Sequence, residues 1–288
     1  ARPVPGLSAL TWVANGHEQA AMTSQPAMCP TGKVQQSQAV IGRALFNAPM
    51  LLGGQAARAE ISCASCHSNG RRSEHFFLAG VSSLPGTADV SSSFFSPVRA
   101  NGKFDPKPIP DLALPGKISR DPNTGDLERF LRGLIVEEFS GREPSESAIA
   151  AVAAYVRSIG TCGSLQEQPR SLSDQLTLVR QSVLSAEAMT RLGDAESASV
   201  LVAGARHQLG LIYQRYADPA LVRQRHLLLV ASRELQPVAQ SGATKPERLL
   251  LWNARFERNV VPVLRRTQGR SLYNSSKLTE WLGRQNHN

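Results

Sequence analysis

The chain has 288 residues, of which 41% are hydrophobic and 19% charged, and a formal net charge of +9. That length and apolar content can bury a core in one large or two ordinary domains. No run approaches the roughly 18 consecutive apolar residues of a membrane-spanning helix. The sequence begins at Ala1, with no Met and no charged-then-apolar leader, which is expected of a mature form after signal removal.

Residues 1–32 read as an irregular arm, because Pro3, Pro5, Gly6, Pro26, Pro30 and Gly32 interrupt any periodic pattern. Leu7 to Val13 would form a short strand or turn. Residues 33–47 read as a helix with Val34, Ala39, Val40, Ile41, Ala44, Leu45 and Phe46 on its apolar side. Gly42 and Phe46 share one face of it, where a small residue beside an aromatic lets another helix cross closely. Asn47-Ala48-Pro49 ends this helix, and Leu51 to Gly54 makes a turn.

Next comes Cys63-Ala64-Ser65-Cys66-His67. Two cysteines three apart and followed at once by histidine form the attachment pattern of a c-type haem. The three-residue separation suits the two vinyl groups of one haem, and the next imidazole then faces the iron as proximal ligand. A zinc site would need two more ligands at matching spacing, and a thioredoxin-like redox pair would need a βαβ setting. The flanks supply neither.

Residues 68–118 have little helical pattern and are rich in Ser, Pro, Gly and Phe. So long an irregular stretch is expected only where something else forms its core. Phe76, Phe77, Phe94, Phe95 and Phe104 would cover a haem. Arg71, Arg72 and Arg99 are candidate partners of the haem propionates, because the guanidinium fork matches a carboxylate. Residues 124–140 form an amphipathic helix through Leu127, Phe130, Leu131, Leu134, Ile135 and Phe139. Residues 145–159 form another, which buries Ile149, Val152, Ala153, Val156 and Ile159 and offers Tyr155 to the Gly42/Phe46 face.

Cys29 precedes the first of these helices and Cys162 follows the last. A disulfide between them would staple the domain at its ends and contribute roughly 4–5 kcal/mol in the chain-entropy account.

Residues 166–288 read as a separate bundle of four or five helices, over about 172–191, 195–216, 219–235, 246–266 and 271–284. Asp194 and Asp218 are candidate N-caps. This half holds seventeen Lys and Arg, fifteen of them Arg, against ten Asp and Glu; the first 165 residues hold fifteen against thirteen. Such asymmetry favours an acidic protein partner or a membrane surface. No catalytic motif stands out in it.

The expected fold class is therefore all-α. An arm (1–32) is expected to precede a haem domain (33–165), with a basic helical bundle (166–288) after it. The order of helix, CxxCH, irregular wrap and two helices resembles a class I cytochrome c over about residues 33–163. Gly42-Arg43-Ala44-Leu45-Phe46 and Ile61-Ser62-Cys63-Ala64-Ser65-Cys66-His67 resemble the N-terminal haem domain of the bacterial dihaem cytochrome c peroxidase and MauG superfamily. Pro85 to Val90, and Phe104-Asp105 to Asp111-Leu112, loosely resemble that family's loop after the haem. The second CxxCH of that family is missing here, so its two-haem mechanism does not carry over. The resemblance implies one covalently bound haem c, with its iron, and a periplasmic location. Nucleic acid is not an expected partner there.

The sixth iron ligand divides the functional readings. No Met lies between His67 and Cys162, and His75 is the other histidine of that span. Ligation by His67 and His75 is the first expectation. Met50 and Met28 follow, then Met22, Met189 and His207, or an open position. A filled sixth site fits an electron carrier that serves a redox protein partner, free or within a larger complex. An open site, with Glu74 and His75 as acid–base groups, fits a peroxidase-like enzyme.

Overall fold

A computed structural model describes residues 7–31, 36–162, 167–241 and 244–285. The fold is mostly helical with a few very short strands. The chain forms two compact units. One comprises Trp12–Ala14 with Gln25–Gln168; the other includes Asn15–Ser24 and the chain from Pro169 onward. The expected helix start at residues 33–35 and the expected domain boundary at 165–166 lie outside the described residues.

The N-terminal arm is more ordered than its prolines suggest. Ser8–Leu10 forms a 3-10 turn and α1 spans Glu18–Thr23. The run Glu-Gln-Ala-Ala-Met-Thr contains no Gly or Pro and is made largely of good helix formers. Glu18 in the first turn suits the positive end of the helix dipole. Met22 then anchors α1 in a core with Ala217, Leu272, Leu278 and Trp281. The strand β1 (Ser24–Pro26) follows.

In the unit that carries the CxxCH motif, α2 (Gln36–Phe46) leads into three short helices: α3 (Pro49–Leu52), α4 (Gly54–Arg58) and α5 (Cys63–Cys66). Residues 68–118 are loops apart from one short 3-10 turn and the antiparallel pair β2 (Thr87–Ala88) and β3 (Lys107–Pro108). Two longer helical segments close the unit. The first is α6 (Asp126–Gly133), which continues into a π-helical turn over Leu134–Glu138; the second is α7 (Glu146–Ser158). Leu127, Leu131, Ile135 and Phe139 are buried as their spacing predicts, whereas Phe130 is exposed. Ser145 caps α7 by accepting the Ala148 N–H at 3.1 Å.

The contact between α2 and α7 follows from Gly42. A Cβ at that position would lie 1.9 Å from the Ala151 carbonyl oxygen and 2.9 Å from the Tyr155 Cβ, so only glycine admits so close a crossing. Phe46 meets Tyr155 edge to face with ring centroids 5.1 Å apart. The expected partnership of Tyr155 with the Gly42/Phe46 face is what the structure contains. Cys29 and Cys162 form a disulfide with Cα atoms 5.5 Å apart. Backbone bonds beside it tie Gly160 N–H to Cys29 O and Thr31 N–H to Ser158 O, both at 2.8 Å.

The strand β4 (Glu167–Pro169) pairs with β1, and the chain re-enters the second unit at Pro169. Three long helices follow: α8 (Leu172–Arg191), α9 (Ala195–Arg215) and α10 (Val222–Ser241). The chain ends with α11 (Pro246–Asn259), α12 (Val261–Thr267) and α13 (Ser275–Gln285). The helix α8 packs on α9 and α11, and α9 on α10. Asp194 caps α9, as expected, and Asp218 caps the 3-10 turn that leads into α10.

Two breaks differ from the pattern in the sequence. The expected stop near Pro237 is absent, and α10 runs through it. Pro237 is exposed, so water can satisfy the carbonyl it leaves unpaired, while buried Leu235 and Val238 hold the last turns on the core. The expected helix over 246–266 instead divides at Val260, where Pro262 occupies the first turn of α12.

Candidate functional site

The motif sits on a single turn of helix. The helix α5 runs from Cys63 to Cys66, and Ser65 Oγ accepts the Ser62 N–H at 3.0 Å to cap its start. In a helix, residues three apart lie on one face, so the turn directs Cys63 and Cys66 the same way. His67 leaves the helix with its N–H still bonded to Cys63 O at 2.9 Å. Asn69 then adopts a left-handed conformation with φ 50°, and Gly70 follows at φ 77°. A Cβ on Gly70 would fall 2.2 Å from the Ile159 side chain. The chain is thereby turned back over α5, where Ser73 N–H bonds Cys66 O at 2.9 Å.

Both thiols are free and half-buried. Burial pushes Cys63 and Cys66 up to about 12, so neither is a thiolate at neutral pH. A thiol–disulfide catalyst needs a depressed thiol pKa, and these move the opposite way. Burial also pulls His67 down to about 4, against the Pro110 carbonyl and the Asp111 charge, which favour its protonated form. The imidazole is neutral at pH 7 and able to ligate a metal. Its Nδ1 atom is buried without a hydrogen bond. Phe46 lies beside the ring, with centroids 6.4 Å apart. Among the described residues, no three His, Cys, Asp or Glu gather in the way a site for a bare cation would need.

Pro110 and Asp111 were not picked out for the site in the sequence. Asp111 is clamped by Arg71, whose Nε and Nη2 donate to its two carboxylate oxygens at 2.6–2.8 Å. Leu112 N–H bonds Gly70 O at 3.0 Å, which seats this loop against the turn after His67. Burial alone would raise Asp111. The Arg71 hydrogen bonds, the Ala113 N–H and the charges of Arg71 and Arg72 outweigh it and hold the carboxyl below its ordinary value.

The remaining candidates are spread over the unit. Arg71, expected to meet a propionate, is buried and committed to Asp111. Arg72 pairs with Glu74 at 2.8 Å and Arg99 with Glu137 at 2.8 Å, all four side chains being well exposed. His75 is half-buried in the turn before the Val13–Phe76 bridge, where its carbonyl accepts the Ala14 N–H at 3.0 Å. Met50 is 54% exposed on α3 and Met28 is 39% exposed. Met22 and Met189 are core residues, 3% and 1% exposed, and so are spoken for by packing. His207 lies in the middle of α9.

The loop phenylalanines divide. Phe76 and Phe95 are buried in the protein's own core, the latter edge to face with Phe139 at 5.0 Å. Phe94 and Phe104 are exposed, together with Leu84, Val90, Val98 and Leu114 of the same loops. No protein-family model, characterised protein or solved structure matches the chain.

Proposed function

We propose that the Cys63–His67 turn holds one covalently bound haem c and that the protein carries electrons outside the cytoplasm. The observation that carries this reading is the turn itself: two free, uncharged thiols on one face of a capped helical turn, followed directly by a half-buried, neutral imidazole. Cys63 and Cys66 would form the two thioethers, and His67 would ligate the iron, which when bound supplies a one-electron ferric/ferrous couple. A ligating histidine normally anchors its other nitrogen to a carbonyl or carboxylate. His67 brings an unbonded Nδ1, with the Pro110 carbonyl near the ring.

Other features suit the same group. Leu84, Val90, Phe94, Val98, Phe104 and Leu114 in residues 68–118 are exposed apolar side chains, which a haem would cover. The Cys29–Cys162 disulfide fits an oxidising compartment such as the periplasm. The resemblance of the helix order to class I cytochromes c points the same way.

His75 is the first candidate for the sixth ligand and exposed Met50 the next. Arg72 and Arg99, whose ion pairs are exposed and exchangeable, can still turn toward propionates. Arg71 is left to its carboxylate. Docking to a redox protein partner falls to the basic helical unit.

Absorbance spectra of the ferric and ferrous protein, with and without carbon monoxide, test the reading. The expected protein retains haem after denaturation and shows a low-spin iron indifferent to carbon monoxide. Cys63→Ala with Cys66→Ala releases the haem, and His75→Ala turns the iron high-spin. No haem after expression with a c-type maturation system would end the proposal. A high-spin wild type that binds carbon monoxide would replace the carrier with an enzyme open at its sixth position.

A further inference from the structure

Three of the four long-helix pairings in the second unit are closed: α8 with α9, α9 with α10, and α8 with α11. The fourth, between α10 and α11, is bridged mainly by long side chains. Trp252 Nε1 donates to Ala231 O at 3.1 Å, and Arg255 meets Glu234 at 3.1 Å. Between them is an open groove of about 190 Å³. Its floor is the stacked pair Trp252 and Phe256, with ring planes 9° apart, and its walls include Leu227, Val230 and Val260.

We propose that this groove is the docking site for an acidic amphipathic helix of a partner protein. The inference deepens the docking part of the proposed function and does not depend on the haem. Size argues first. Small-molecule pockets run from about 300 to 1,000 Å³, whereas this space takes one or two anchoring side chains, as when an apolar helix face lies in a groove between helices.

Charge then selects the partner. Residues 222–270, which hold α10, α11 and α12, contain ten Lys and Arg against three Glu. Arg223 and Arg248 fall on the groove-facing stripes of α10 and α11, each four residues before Leu227 and Trp252 respectively. Both are exposed and neither joins an ion pair among the described residues. An acidic helix would seat its apolar anchors against Leu227 and Val230, above the buried Trp252 and Phe256, and its carboxylates on these arginines, with complementary charge setting the encounter rate. A second copy of the chain is disfavoured, because a two-fold contact would bring the same basic stripe against itself.

The test replaces Val230, on the groove wall, with a photo-reactive phenylalanine analogue in the full chain, inside the cells that make it. Leu251 serves as a second position and Leu192, on the loop after α8, as the control. Cross-linked peptides are then sequenced. The expected product joins positions 230 and 251 to one protein segment with apolar residues spaced i, i+3 or i+4, i+7 and an excess of Asp and Glu. Arg223→Glu with Arg248→Glu lowers its yield at least fivefold. Cross-links to lipid, to a second copy, to a segment without net acid, or no product above the control would each overturn the proposal. A haem spectrum of the same protein separates the two readings: an intact spectrum with no acidic cross-link defeats the groove alone, and an acidic cross-link in a haem-free protein defeats the haem alone.

Discussion

The residue whose environment says most is Asp111. A carboxylate and a guanidinium removed together from water are neutral to stability on balance, but removing one partner strands the other. Arg71→Ala is therefore expected to cost about 3–5 kcal/mol, read from urea unfolding. The pair also sets a pH dependence. Asp111 is held below its ordinary value by Arg71, so between its folded and unfolded pKa the unfolded chain binds more protons and stability rises with pH. The contribution is complete above the unfolded value of about 3.9 and is lost as pH falls through the lower folded one. Arg71→Ala should abolish that slope; an unchanged acid limb would show that the pair does not matter. None of this was legible in the sequence. Arg71 and Asp111 are forty positions apart, and an arginine beside a haem motif suggests a propionate before it suggests a distant loop carboxylate. Cys63, Cys66 and His67 were legible because their spacing is local and one helical turn suffices to satisfy it.

Helices were legible to the extent that their cause lies within one element. Hydrophobic period located α2, α6, α7, α8 and α9 to within a few residues. Proline effects were not resolved, since Pro237 is tolerated on an exposed, late turn while Pro262, equally exposed, coincides with a real break. The arm that carries α1 was misread because its prolines flank the helix without entering it. The Gly42 crossing was readable because a missing side chain beside an aromatic is itself a packing signal. It supports a sharp expectation. Gly42→Ala forces a methyl group into the Ala151 carbonyl, and overpacking of this kind costs about 1–3 kcal/mol or more. Calorimetry should find the unit with α2 and α7 less stable, and the substitution should leave α8–α11 unfolding where it was. Equal loss in both would mean that α2 and α7 do not set the stability of their own unit.

The two compact units give the disulfide a confined role at the scale of the whole molecule. Cys29 and Cys162 both belong to the unit that spans Gln25–Gln168, and the loop they close has a sequence separation of 133. Chain entropy over so long a loop makes the bridge worth about 5 kcal/mol, a figure that depends on the unfolded state being open. The helical unit lies outside that loop and gains nothing from it. In Cys29→Ser with Cys162→Ser, the transition of the motif-bearing unit should therefore fall by roughly 10–20 °C, at about 2–4 °C per kcal/mol for a domain of this size. The transition of the helical unit, followed through Trp252 and Trp281, should not move. If both transitions fell together, the two units would unfold as one cooperative body. If neither fell, the unfolded chain would already hold Cys29 near Cys162, and closing the loop would add nothing to stability.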